Sequence, residues 1–385
     1  MFRKAIILLS VAAMFGSEPL PVSAETDSAQ SFPEVSASAC CLYEAESRTT
    51  VYTRNGDTKR PMGHMAKLMT ALICAEACES GDASMSDVVT VSSNANSKQG
   101  AQIWLDAGEK ISVEELMKSI IIGNANDACC ALAEHLSGSE EKQVVRMNKR
   151  ADELGMKNTH FADVLGESAD TLSTAGDITL LSAELSRHHE LDELFTTRID
   201  NVRGGRAELV STNRLILSYK GTRGTKACGG EKSGECIAAT AEKNGMTMCA
   251  VLLGEPDADT KLYDAKNLLD SGFESCRLFT PEVDKQYLKA VTVTGGCADK
   301  VGVRAEPAVP ALIKAGTAGD IVMTASMSEM LEAPVKRGQT VGTLEYKLAG
   351  EKVMTVDIVA ASDVDKMNVK FAIKRTLFNL LDIVR

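Results

Sequence analysis

His64 and Lys67 are candidates for acid–base chemistry. Three residues apart, they share one face if the segment is helical, so an imidazole and an amine would stand side by side. Each is a potential cation, and each depresses the other's proton affinity. An imidazole can serve as a base, but it is a poor acyl acceptor beside a hydroxyl or a thiol. The only Ser-x-x-Lys in the chain is Ser139-Glu140-Glu141-Lys142, and Ser139 reads there as a helix N-cap. The eleven cysteines include adjacent pairs at Cys40-Cys41 and Cys129-Cys130, with Cys74 and Cys78 one helical turn apart. No Cys-x-x-Cys occurs, so the pattern carries no zinc signature, and most of these thiols read as small buried apolar side chains.

The elements that must position His64 and Lys67 follow from periodicity. From His64 to Cys78 the apolar residues Met65, Leu68, Met69, Leu72 and Ile73 fall at helical spacing with little charge, which predicts a buried helix. Two short strands at 38–43 and 49–53 precede it. A helix from Ser112 to Gly123 has Ser112 as N-cap, Glu115 at capping-box spacing and acidic Glu114 and Glu115 in its first turn. Further helices are predicted from Asn126 to Leu136, from Ser139 to Leu154 with Gly155 as C-cap, and from Thr174 to about Ser186. Strands follow near 223–228, 235–241 and 247–253, then a helix at about 258–271. From Pro281 the texture changes to short Val-, Thr- and Gly-rich runs over 287–360, which predicts a β-sandwich.

The chain has 385 residues and a net charge of -11, which argues against nucleic acid as a partner. Arg3 and Lys4, the apolar run Ala5 to Phe15 and the small-x-small site Val22-Ser23-Ala24 read as a secretory signal peptide over 1–24. At the other end, Val369, Ile373, Leu377, Leu380, Leu381 and Val384 share a helical face flanked by Lys366, Lys370, Lys374 and Arg375. A basic, apolar helix over 363–385 suits an anionic membrane surface, and its charges keep it from spanning a bilayer.

The stretch Pro61-Met62-Gly63-His64-Met65-Ala66-Lys67-Leu68-Met69-Thr70 resembles the active-site helix start of the low-molecular-mass penicillin-binding proteins, the serine D-alanyl-D-alanine carboxypeptidases, which reads close to P-x-A-S-M-T-K-L-M-T. Patches at 126–141, 154–161 and 211–215 extend the likeness over roughly 36–385. The resemblance implies an α/β transpeptidase-like domain over 25–280, with a five-stranded antiparallel sheet flanked by helices. A small β-sandwich over 281–362 and the membrane-associating helix would follow. No cofactor or metal is implied.

That family performs acyl transfer with three motifs, S-x-x-K, S-x-N and K-T-G. The flanks place them at His64-Met65-Ala66-Lys67, Asn124-Ala125-Asn126 and Lys226-Ala227-Cys228-Gly229. By this likeness His64, Lys67, Asn124 and Asn126 occupy the catalytic positions, with His64 and Asn124 where the family has Ser. An amide exchanges hydrogen bonds but carries no proton at neutral pH, while Asn126 keeps the group that could hold a substrate amide. Lys226, Ala227, Cys228 and Gly229 occupy the substrate-binding edge strand. Ala227 has lost the Thr hydroxyl, Cys228 adds bulk where the substrate backbone passes, and Gly229 would supply an oxyanion N–H. Two readings follow. One is an inactive homologue that binds stem peptides or wall enzymes at the outer face of the cytoplasmic membrane. The other is a working carboxypeptidase with an altered mechanism.

Overall fold

The computed structural model describes residues 32–373. The expected leader at 1–24 and most of the expected terminal helix lie outside these residues. Helix begins only at 369, because the preceding segment is strand-like: Val364 pairs with Val335 and Lys366 with Gly296. The helix predicted from 363 therefore starts later, its first residues being held by backbone pairing and by burial of Val364. Among the described residues no helix is long and apolar enough to cross a membrane.

A five-stranded antiparallel sheet organises the larger part. Its strands are β1 (Ala39–Glu44), β2 (Thr49–Arg54), β3 (Thr222–Gly230), β4 (Gly234–Lys243) and β5 (Met246–Glu255), in the order β2-β1-β5-β4-β3. β1 and β5 are buried along nearly their whole length, so both read as continuous apolar runs rather than alternating ones. Successive side chains still go to opposite faces. Ala39 and Cys41 join one core, Cys40 and Leu42 the other.

Helix α1 (Lys67–Ser80) runs through the first core with Leu68, Met69, Leu72 and Ile73 all essentially inaccessible. A 3₁₀ turn, Gly63–Ala66, leads into it. Around it pack α2 (Val113–Ile121), α3 (Asn126–Ser137), α4 (Glu140–Leu154) and α5 (Ala175–Leu185). Side-chain caps fix three of their N-termini, those at Ser112 and Ser139 being expected. Ser112 accepts from the Glu115 N–H, Ser139 from that of Lys142 and Thr174 from that of Asp177, and Gly155 closes α4 in the left-handed region. α6 (Ala258–Ser275), longer than predicted at its C-terminal end, covers the opposite face with Ala265, Leu268 and Leu269.

The C-terminal part is β-rich. A three-stranded group (Val291–Thr294, Lys300–Val301, Met330–Glu332) and a four-stranded one (Val303–Ala305, Ile321–Met327, Thr340–Leu348, Glu351–Ala360) enclose a core that includes Val293, Val335, Leu344 and Ile358. The strand leaving α6, Cys276–Phe279, pairs with Ala311–Lys314, so pairing reaches across the position where the composition changes. All eleven cysteines are free, and eight are buried.

Candidate active site

The site is built where the start of α1, the turn into α3 and the edge strand β3 converge. Two backbone features shape its entrance. Gly63 adopts φ +54°, and the loop through Gly166 lies so close that a Cβ on Gly166 would fall 1.8 Å from the Gly63 carbonyl oxygen. A side chain at 166 would displace that loop. Asn124 sits at φ +58°, a conformation that asparagine tolerates better than most residues.

Lys67 is fully buried, and its ammonium donates to three oxygens: the Asn124 carbonyl at 2.5 Å, Asn124 Oδ1 at 3.3 Å and Asn126 Oδ1 at 2.5 Å. An ammonium has three N–H groups and no acceptor, so this arrangement exhausts it. Burial lowers the Lys67 pKa to about 8, with the nearby Cys129 thiol and Glu167 carboxylate opposing the shift. The amine is therefore predominantly charged at pH 7.

The network fixes the imidazole. Asn124 Oδ1 accepts from Lys67, so Asn124 presents Nδ2 to His64 Nδ1 at 2.6 Å. The amide nitrogen donates, so Nδ1 must accept, and the proton of neutral His64 resides on Nε2. Burial, then Lys67 and Lys226, lower the His64 pKa to about 4, against a weaker pull from Asp163. A neutral imidazole with its Nδ1 lone pair occupied stands at the start of α1. Among the described residues no Ser or Thr hydroxyl bonds to Lys67.

Asn126 is equally committed. Its Nδ2 donates to the Gln99 carbonyl at 2.5 Å and to Glu167 Oε1 at 2.7 Å, and the residue is inaccessible. The group expected to be free for a substrate amide is spent inside the protein. The sequence reading missed Gln99, Asp163 and Glu167. Asp163 gathers the N–H groups of Leu165 (2.7 Å), Gly166, Glu167 (3.2 Å) and Ser168 (2.6 Å) around its carboxylate, and this turn brings Glu167 to Asn126. An Asp followed three residues later by Gly is a turn signal that could have pointed to the loop. Asp127 holds the other wall by accepting from the Ile103 N–H (3.1 Å) and the Leu105 N–H (3.0 Å). Arg203 Nη1 clamps the carbonyls of Ile103 and Trp104, each at 2.7 Å.

On the strand side, Lys226 is 3% exposed and donates to the Ile120 carbonyl at 3.0 Å. Burial first, then Lys67, lower its pKa to about 7. Ala227, expected along the cleft, packs in the second core on the far face of the sheet. Strand alternation turns its Cβ away from α1. Cys228, expected to obstruct the cleft as bulk, is itself buried in the first core, with its sulfur near Gly63. Gly229 is exposed, and a Cβ there would strike the Glu235 carboxylate at 2.1 Å. The structure thus joins His64, Lys67, Asn124 and Asn126 in one bonded chain and sets Lys226 and Cys228 beside it, while Ala227 points away.

The sequence profile of the D-alanyl-D-alanine carboxypeptidases, peptidase family S11, matches residues 25–257, and that of the penicillin-binding protein 5 C-terminal domain matches residues 278–366. The D-alanyl-D-alanine carboxypeptidase DacF of Bacillus subtilis is 32% identical over 346 residues, 89% of either chain. DacC of Escherichia coli is 28% identical over 87% of this chain and 86% of its own. In fold, penicillin binding protein 5 from Haemophilus influenzae superposes with a TM-score of 0.78 at 24% identity, over 87% of this chain and 99% of that one. Over the matched span the frame around His64 is theirs: the chain belongs to the D-alanyl-D-alanine carboxypeptidase family.

Proposed function

We propose that this protein is an exported member of the family that has given up hydrolysis and keeps a binding or regulatory role at the peptidoglycan. The observation that carries the reading is the closed donor chain from Lys67 through Asn124 to His64. Acyl transfer needs a hydroxyl or thiol nucleophile and a base free to take its proton. Here the base spends all three N–H groups on Asn124 and Asn126, and the nucleophile position holds a neutral imidazole. Loss of a nucleophile of this kind costs roughly a millionfold in rate. The signal-like N-terminus supports export. The basic, apolar pattern over 366–385 supports placement at the outer face of the cytoplasmic membrane, where stem peptides and wall enzymes are the available partners.

The test is the intact mass of mature protein after exposure to a penicillin. No adduct is expected. Restoring the motifs with His64→Ser, Ala66→Thr, Asn124→Ser, Ala227→Thr and Cys228→Gly together is expected to yield one adduct per chain. A stoichiometric adduct on the unaltered protein would overturn the reading, and its position would name the working nucleophile.

A further inference from the structure

Cys228 and Cys236 stand directly opposite each other on the antiparallel strands β3 and β4. Both belong to the first core, so both side chains leave the sheet on the α1 face. Opposed residues on one face of an antiparallel pair have Cα atoms about 4.5–5.5 Å apart, within the span that a disulfide bridges. β3 is an edge strand of the sheet. On the cleft side, a Cβ built on Gly63 would lie 3.8 Å from the Cys228 sulfur, so this thiol borders the start of the helix that carries His64.

We propose that Cys228 and Cys236 form a redox-active dithiol that small peroxides oxidise to a cross-strand disulfide at the edge of the cleft. Oxidation at the strand does not depend on whether acyl transfer survives.

The two thiols are not equivalent. The Cys236 thiol beside it, then the Lys226 and Lys261 cations and the Met65 N–H, hold Cys228 below the ordinary thiol range against the opposing effect of burial. Cys236 is pushed up by the same neighbour and by burial. Cys228 is therefore the attacking sulfur and Cys236 the resolving one. The Cys228 thiolate attacks one oxygen of hydrogen peroxide and the O–O bond breaks. The departing hydroxide takes up the proton released from the thiol, giving water and a Cys228 sulfenic acid. Cys236 sulfur then attacks Cys228 Sγ and displaces hydroxide, which leaves as water with the Cys236 proton. One peroxide is reduced to two waters, and two thiols become one disulfide. Closure draws the Cys228 sulfur toward β4, away from Gly63 and the Met65 N–H, and ties the edge strand to its neighbour.

Hydrogen peroxide added to reduced mature protein tests the proposal. The expected result is a loss of about 2 Da, reversed by dithiothreitol, with peptide mapping that joins Cys228 to Cys236. The Cys228→Ser variant should keep its full mass under the same treatment. The Cys236→Ser variant should instead stop at a sulfenic acid on Cys228, trapped by dimedone. A bond mapped between other cysteines, or an unchanged mass in the unaltered protein, would overturn the proposal. Because mapping is done on the unaltered chain, a variant that fails to fold does not shelter it.

Discussion

The two walls of the cleft differ in how completely their polar groups are satisfied. On the helix wall the polar side chains interlock. His64, Lys67, Asn124 and Asn126 satisfy one another, with Gln99 and Glu167 completing the set. On the strand wall they do not: Lys226 donates to one carbonyl, Ala227 has turned into the far core, and Cys228 faces another thiol. Buried polar groups are stable only as complete networks, and a missing member leaves its partners dry and unbonded. The helix wall should therefore be rigid and intolerant of change, the strand wall permissive.

Lys67→Met should break the comparison open most visibly. It strands three buried oxygens of Asn124 and Asn126, and a loss of about 3 kcal/mol in unfolding free energy is expected from denaturant titration. A loss under about 1 kcal/mol would mean that the helix wall is no network. Asn126→Ala comes next, at about 2 kcal/mol, since it also releases the Gln99 carbonyl and Glu167.

Lys226→Met is the sharpest counterpart. A buried amine, about half charged at pH 7, is exchanged for an apolar side chain of similar length, so stability at pH 7 should stay within about 1 kcal/mol of the unaltered protein. Its pH profile should change too. Lys67 and Lys226 have folded pKa values of about 8 and 7, below the unfolded lysine value. The unfolded chain thus binds more protons between pH 7 and about 10.4, and stability gains with rising pH across that window. Lys226→Met should remove its share of the rise, read as melting temperature against pH. The smallest effect belongs to His64→Ala. This half-buried ring closes one end of the network through a single bond, so its removal should cost less than about 1 kcal/mol and leave the Lys67 bonds intact.

Much of this was legible from particular residues. The caps at Ser112 and Ser139 show in sequence because capping is local: a side-chain oxygen meets an N–H three residues on. Helix α1 and the sheet strands show because burial imposes a period. The gathering of His64, Lys67, Asn124 and Asn126 was expected from the family likeness of their flanks. The commitment of Asn126 to Gln99 and Glu167 could not be expected, because these partners lie 27 and 41 residues away along the chain. The late start of the terminal helix escaped for the same reason, since Val364 is held by Val335.

The sequence by itself determined the family frame, the order of helices and strands, and the absence of a hydroxyl at position 64. Those depend on residue type, spacing and local hydrogen bonding. Only the tertiary structure decided that Lys67 has no free N–H, that His64 carries its proton on Nε2, and that Cys228 meets Cys236 across two strands. Each is a matter of which distant groups share one buried volume. Removed from water, polar groups must find their partners there.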